Sequence, residues 1–279
     1  MKRKSRILIT TGDPRGIGPE ITKKALSDPR IMSSADFTLI NTCDKTGFDA
    51  VRRAADILKK GDADGLVTAP VNKSAINASG VKFSGHTEYL AKITRKKKIA
   101  MLFCAGAFRV AIVTRHISLK EVPAALTRTV IKDTILLTAE ALRKYFNVRV
   151  PRIGVCGLNP HCGEDGIMGT EEKSVIAPIV KKVRSKTLKV EGPLPADVIF
   201  YMARNDRFDA VISMYHDQGL APFKMIAFDK GVNVTLGLPF VRTSPDHGTA
   251  YDIAGKGVAD PSSMKEAIKL AVKMCAVRC

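Results

Sequence analysis

The chain has 279 residues, 45% of them hydrophobic and 26% charged, and no Trp. That suffices for one large or two ordinary domains with a substantial core, and no apolar run approaches the roughly 20 residues that cross a bilayer. The formal net charge of +18 favours anionic partners; the basic residues are dispersed and not interleaved with aromatics, which argues against nucleic acid and for solvated surface. The start, MKRKSRILITTGD, is basic and then briefly apolar before Gly-Asp-Pro, so it reads as a first strand rather than a signal peptide and points to the cytoplasm. The six cysteines form no C-x-x-C pair, and in such a chain free thiols are expected.

Strand-like and helix-like segments alternate from end to end. RILIT (6–10) is a strand, and PEITKKALS begins a helix with Pro19 in its first turn. FTLINT is a second strand; GFDAVRRAADILKKG (47–61) is a helix closed by Gly61. GLVTAPV is a strand, EYLAKIT a helix, IAMLFC and RVAIVT strands, and VIKDTILLTAEALRKYF (130–146) a long amphipathic helix. RIGVCGL and DAVISMY are strands, EEKSVIAPIVKKVRSK is a helix despite Pro178, and SMKEAIKLAVKMCAV closes the chain as a helix. Repeated βα alternation predicts an α/β protein with largely parallel sheets. Composition marks no domain boundary.

The chain has five histidines, and each stands in a polar, loop-like setting. His116, His161 and His216 follow the apolar runs FRVAIVT, RIGVCGL and DAVISMY. Residues just past the ends of parallel strands converge on the ligand crevice of an open sheet. Three imidazoles with a position left open suit a catalytic divalent metal, although their spacing alone leaves scattered surface histidines as the alternative, and there is no HExxH motif. His86 and Thr87, in SGHTEY, combine an imidazole and a hydroxyl at a helix start, where Thr87 serves equally as an anion contact or an N-cap. Lys224, Asn233 and Arg242 offer cations and an amide for a phosphate or carboxylate, against the alternative of surface charge. Asp217 could orient a ligand, bind metal or act as a base. The first loop, TTGDPRGIGPE, has Gly12, Gly16 and Gly18, which is not the G-x-G-x-x-G fingerprint.

Eight segments carry a resemblance: TTGDPRGIGPE, VTAPVNK, GHTEYLA, VTRHISL, GLNPHCGEDGIMGTEE, GPLPAD, MYHDQGLAPFK and GVNVTLGLPFVRTSPDHGTAYDIAGKG, in that order. They resemble the 4-hydroxythreonine-4-phosphate dehydrogenase family of pyridoxal phosphate biosynthesis, within the isocitrate and isopropylmalate dehydrogenase-like superfamily. The resemblance implies two α/β/α domains with the active-site cleft between them. The first would comprise residues 1–85 plus 246–279, the second 86–245, carrying the metal ligands and the dimer interface. It implies a homodimer whose active site is shared across that interface. His116, His161 and His216 become ligands of one divalent ion (Zn, Mg, Mn or Co). His86, Thr87, Lys224, Asn233 and Arg242 become substrate contacts, and Lys224 and Asp217 candidates for the base. His247, Gly248, Thr249 and Asp252 fall in a loop for NAD or NADP.

The implied reaction is oxidation of 4-phosphooxy-L-threonine to a 2-amino-3-oxo acid that loses carbon dioxide. Rival substrates are 4-phospho-D-threonate, 4-phospho-D-erythronate and, more distantly, aromatic dihydrodiols. A rival of another class is a basic nucleic-acid-binding protein on a degenerate enzyme fold. Three departures from the family pattern stand out: a connection some fifty residues shorter near 27–46, Arg15 in place of a small residue, and Cys162 and Asp165 in place of small residues beside His161.

Overall fold

The computed structural model describes residues 3–277; the first two residues, Arg278 and Cys279 lie outside them. The chain forms two compact units: residues up to Lys97 together with those from Asp229 onward, and Lys98–Phe228. The boundaries differ from the expected ones, because residues 86–97 and 229–245 pack in the first unit. The reason is local. Leu90 joins the apolar cluster of Leu8, Leu66 and Phe240, and strand 232–236 pairs antiparallel with strand 241–245. His86, Thr87, Asn233 and Arg242 therefore belong to the first unit.

The strands in chain order are β1 (Arg6–Thr10), β2 (Asp36–Ile40), β3 (Gly65–Thr68), β4 (Ala100–Ala105), β5 (Phe108–Ile112), β6 (Arg152–Cys156), β7 (Lys189–Leu194), β8 (Ala210–Ser213), β9 (Val232–Leu236) and β10 (Val241–Pro245). In the first unit the order is β2-β1-β3-β10-β9, parallel except for β9. The helix Phe48–Lys60 lays Ala50, Ala54 and Leu58 on this sheet and ends at Gly61 in the left-handed conformation, as the C-cap glycine predicts. The helix Gly18–Leu26 begins with Pro19 in its first turn. Gly12, at φ +76°, meets the turn after β3 so closely that a Cβ there would stand 2.2 Å from the Pro70 carbonyl oxygen.

In the second unit the order is β4-β5-β8-β6-β7. β4 and β5 form an antiparallel hairpin; β5, β8, β6 and β7 run parallel. Its core stacks Phe108 on Phe223, ring centroids 5.9 Å apart, with Phe103 beside them. The segment read as one helix from 171 opens as a π-turn over Glu172–Ile176 and becomes α-helical only at Ala177–Val183, with Pro178 in the first turn of the α segment. His216, expected in a loop, is the first residue of the helix His216–Ala227. That helix carries Pro222 internally, and burial of Leu220, Phe223 and Ala227 outweighs the break.

The turn between β2 and the helix Phe48–Lys60 is closed by one carboxylate. Asp44 accepts hydrogen bonds from the backbone of Thr46, Gly47 and Asp49 and from the hydroxyls of Thr42 and Thr46. It thereby ties the turn after the outer strand β2 to the start of the following helix. Burial alone would raise its pKa, but the hydrogen bonds outweigh burial and hold it at about 2, against an ordinary 3.8. Because the folded value lies below the unfolded one, the stabilisation is present above about pH 4 and is lost as pH falls towards 2. Asp44→Asn should therefore be less stable at neutral pH and lose that part of the acid dependence, measured by urea unfolding at pH 2 to 7.

Candidate active site

In the second unit, β5, β8 and β6 are neighbours and parallel, so the residues that follow them emerge at one edge. The pairing of β5 with β8 continues past the strands: Thr114 donates from its backbone N–H and its hydroxyl to the Met214 carbonyl. This brings His116 and His216 together, with ring centroids 5.5 Å apart. A cavity of about 230 Å³ opens beside them, walled by Leu119 and Val122. Gln218 joins the third strand end to the others, accepting from the Met214 N–H at 2.7 Å and donating to the Gly157 carbonyl at 2.8 Å.

Past Gly157 the chain makes an unusual turn. His161, Cys162, Gly163, Glu164 and Asp165 all have positive φ, from 38° to 80°. For the four that are not glycine this conformation costs about 1–2 kcal/mol each. Glu172, 3% exposed, compensates from the π-turn. Its Oε1 accepts the N–H groups of Leu158 and Asn159, both at 2.7 Å, and its Oε2 accepts from the Asn159 amide at 3.1 Å. Cys162 packs its sulfur against Gly157. Burial first and the nearby Glu172 second raise its thiol pKa, so it fills space rather than acting as a thiolate.

The histidine donors fit a metal in one respect. His216 Nδ1 lies 2.7 Å from Asp217 and His161 Nδ1 lies 2.6 Å from Glu164. A carboxylate holding Nδ1–H presents Nε2 as the ligand, the usual outer arrangement of metal-bound imidazole. Asp217 is thus engaged with His216. Among the described residues no three metal-ligating side chains converge: His116 and His216 are together, and His161 stands apart on its own turn. Lys224 lies two turns along the same helix, 5.9 Å from the Phe228 ring.

In the first unit, a polar face crosses three strands. Arg242, 3% exposed, reaches across β10 to donate to Thr235 on β9 (3.1 Å) and Thr68 on β3 (2.6 Å). Thr235 in turn pairs with Thr87 at 3.1 Å. Burial lowers the guanidinium pKa to about 10, with Glu88 acting in the opposite sense. Arg242 Nε, His86 Nε2 and Asn233 Oδ1 are sealed from solvent without a hydrogen-bond partner. The His86 pKa lies well below its ordinary 6.5, by burial first and then by the Arg242 and Lys73 cations, so the imidazole is neutral. Buried polar atoms left unsatisfied are costly, and two of them beside a buried cation whose own Nε is unbonded describe a cradle for an anionic, hydrogen-bonding ligand.

The glycine-rich first loop and the 246–260 loop are fastened together. Ile17 donates to the Thr249 carbonyl at 2.9 Å, and Tyr251 donates to Asp13 at 2.5 Å. Asp13 is fully buried and also accepts from the Arg15 backbone and side chain. Burial alone would raise its pKa, yet the hydrogen bonds from Arg15 and Tyr251 hold it below the usual value. His247 Nδ1 donates to the Gly248 carbonyl at 3.1 Å. Nothing stands within 4 Å of where a Gly248 Cβ would be, and Asp252 is exposed, so both are open to a ribose or phosphate. Glu172, Gln218 and Asp13 escaped sequence reasoning. The doubled acid of GTEEK and the Gln two residues past His216 were the signals available.

Residues 32–271 match the family of the pyridoxal phosphate biosynthetic protein PdxA. A 4-hydroxythreonine-4-phosphate dehydrogenase of Desulforapulum autotrophicum is 42% identical over 317 positions, covering 94% of this chain and 93% of that protein. The alignment is longer than the chain, so that relative carries sequence absent here. The crystal structure of a 4-hydroxythreonine-4-phosphate dehydrogenase from Klebsiella pneumoniae is similar at a TM-score of 0.82 and 33% identity, covering 97% of this chain and 99% of that one. Isocitrate dehydrogenase from Methylococcus capsulatus, 16% identical at a TM-score of 0.60 with 98% and 88% covered, shares the fold. With its mostly parallel sheets, flanking helices and these relatives along nearly its whole length, the chain belongs to the PdxA family.

Proposed function

We propose that this chain is a dehydrogenase of pyridoxal phosphate biosynthesis that oxidises 4-phosphooxy-L-threonine to 2-amino-3-oxo-4-phosphooxybutanoate, which loses carbon dioxide to give 3-amino-2-oxopropyl phosphate. The observation that carries the reading is the cradle of Arg242, His86 and Asn233, in a chain whose relatives bear the name of that reaction. Arg242 would hold the phosphate or carboxylate with the donors that Thr68 and Thr235 leave over. His86, kept neutral, would give or accept one hydrogen bond at Nε2, and Asn233 would accept one at Oδ1. Thr87 would hold the Thr235 hydroxyl in line.

His116, His161 and His216 would hold the divalent ion, and His247, Gly248, Thr249 and Asp252 the NAD or NADP. When bound, these groups would supply Lewis acidity towards oxygen and an acceptor for hydride. Asp217 is turned to His216 Nδ1, so its part is to orient that imidazole, and Lys224 Nζ is the proposed acceptor of the hydroxyl proton. Because His116 and His216 pair within the chain and His161 stands apart, we place His161 and His216 of one site on different subunits of a homodimer.

Purified protein with a divalent metal, NAD+ or NADP+ and 4-phosphooxy-L-threonine should yield reduced cofactor and carbon dioxide, and chelation should stop it. Turnover of 4-phospho-D-threonate or 4-phospho-D-erythronate with none of the amino acid would refute the substrate. Arg242→Lys, which keeps the charge but not the planar fork, should lower kcat/KM by about 10–100-fold, as loss of one or two charge-assisted hydrogen bonds predicts.

Shared sites make a further prediction. His161→Ala and His216→Ala chains, each inactive alone, should recover activity when refolded together, about a quarter of the wild-type level from statistical pairing in a two-fold dimer. No recovery in verified mixed dimers would place all three histidines on one chain.

A further inference from the structure

The second unit carries another cavity, at the opposite edge of its sheet from the histidines. Its volume is about 580 Å³, in the range of small-molecule sites. Arg152 and Lys189 open β6 and β7, whereas His161 and His216 follow the far ends of β6 and β8. Five residues of strand at about 3.3 Å each separate the two edges. The cavity is therefore no extension of the candidate active site.

Four cations line it: Arg152, Arg184, Lys189 and Arg207. Two are neutralised within the chain. Arg152 grips Asp209 with two side-chain donors, at 2.9 and 3.3 Å, and Arg207 pairs with Glu191 at 3.0 Å. The other two are not: among the described residues no carboxylate lies within ion-pair distance of Arg184 or Lys189, and both side chains are exposed. Arg184 is nonetheless aimed, because its Nε donates to the Val190 carbonyl and leaves the terminal amines of the fork for something else. The floor is apolar, formed by Ile153, Leu188 and Phe208. Phe208 is fixed in place: its ring rests on Gly154, where any side chain would collide with it at 2.8 Å.

An apolar floor with one unneutralised guanidinium and one unneutralised ammonium at the rim is complementary to a dianion on a flat, apolar body. We propose that this cavity is a second ligand site, for a phosphate monoester of a planar ring. A purine nucleotide and a phosphorylated pyridine share that chemistry. The phosphate would sit between Arg184 and Lys189, the ring on the floor. The inference does not depend on the dehydrogenase reading.

Equilibrium dialysis of the full-length protein against AMP and against pyridoxine 5′-phosphate tests it; the latter lacks the aldehyde that would condense with surface lysines. At least one probe should bind, and the one that binds names the source. Affinity should fall at least tenfold in Arg184→Ala/Lys189→Ala, whose exposed side chains can be removed without disturbing the core. Binding should persist in Arg242→Lys and under saturating 4-phosphooxy-L-threonine. The proposal is overturned if neither probe binds, if inorganic phosphate binds as tightly as both, if the double variant binds unchanged, or if 4-phosphooxy-L-threonine displaces the probe.

Discussion

The parallel run of β5, β8 and β6 is the constraint on which the second unit's chemistry rests. Parallel neighbours deliver their following residues to the same edge, and the hydrogen bonds of Thr114 and Gln218 carry that alignment past the last strand residue. The helix His216–Ala227 then has no freedom to drift: Gly219 lies so close to the sheet that a Cβ would stand 2.3 Å from Ser213 Oγ, while Phe223 is locked between Phe103 and Phe108. The position of His216 is thus decided by core packing, and that of His116 by a strand pairing. Neither depends on a ligand.

His161 is placed by different means. Its turn is locally unfavourable, and a stretch of left-handed non-glycine residues persists only where its surroundings over-determine it. Glu172 provides that over-determination with a buried carboxylate that takes three donors at the base of the turn. The π-turn over Glu172–Ile176 fits the same pattern, since such bulges collect at functional segments. One unit therefore holds two histidines on rigid elements and a third on a strained, carboxylate-pinned loop.

Much of this was legible in the sequence because it depends on apolar periodicity. The runs before His116, His161 and His216 became β5, β6 and β8, and the helix over 47–61 stopped at Gly61 as its C-cap signal requires. What stayed hidden depends on contacts between distant residues. Glu172 reads like any surface glutamate, because nothing in GTEEK says that its side chain turns inward. Pro222 and Gly219 make the segment after His216 read as a loop, and only burial of Leu220 and Phe223 keeps it helical. Arg242, Thr243 and Ser244 make β10 read as a polar loop, so it passed unseen, and with β9 and β10 unseen the return to the first unit was expected at 246, later than the observed 229. The chemistry of the motifs came from the family resemblance, which named roles that spacing alone left open.

The burial of Arg242 is the strongest physical statement in the first unit. Taking a guanidinium out of water costs several kcal/mol unless its charge and donors are met. Two threonine hydroxyls meet part of that need and Glu88 acts from a distance, yet Nε remains unbonded. A fold selected for stability alone would place an apolar side chain at this central strand position, as it does at the neighbouring Val241 and Val234. Retaining a cation there, beside an imidazole kept neutral by burial first and by that cation second, stores an unmet electrostatic demand within the sheet. An anionic ligand would meet it, and the desolvation already incurred by the protein would make each hydrogen bond to that ligand stronger than the same bond made in water.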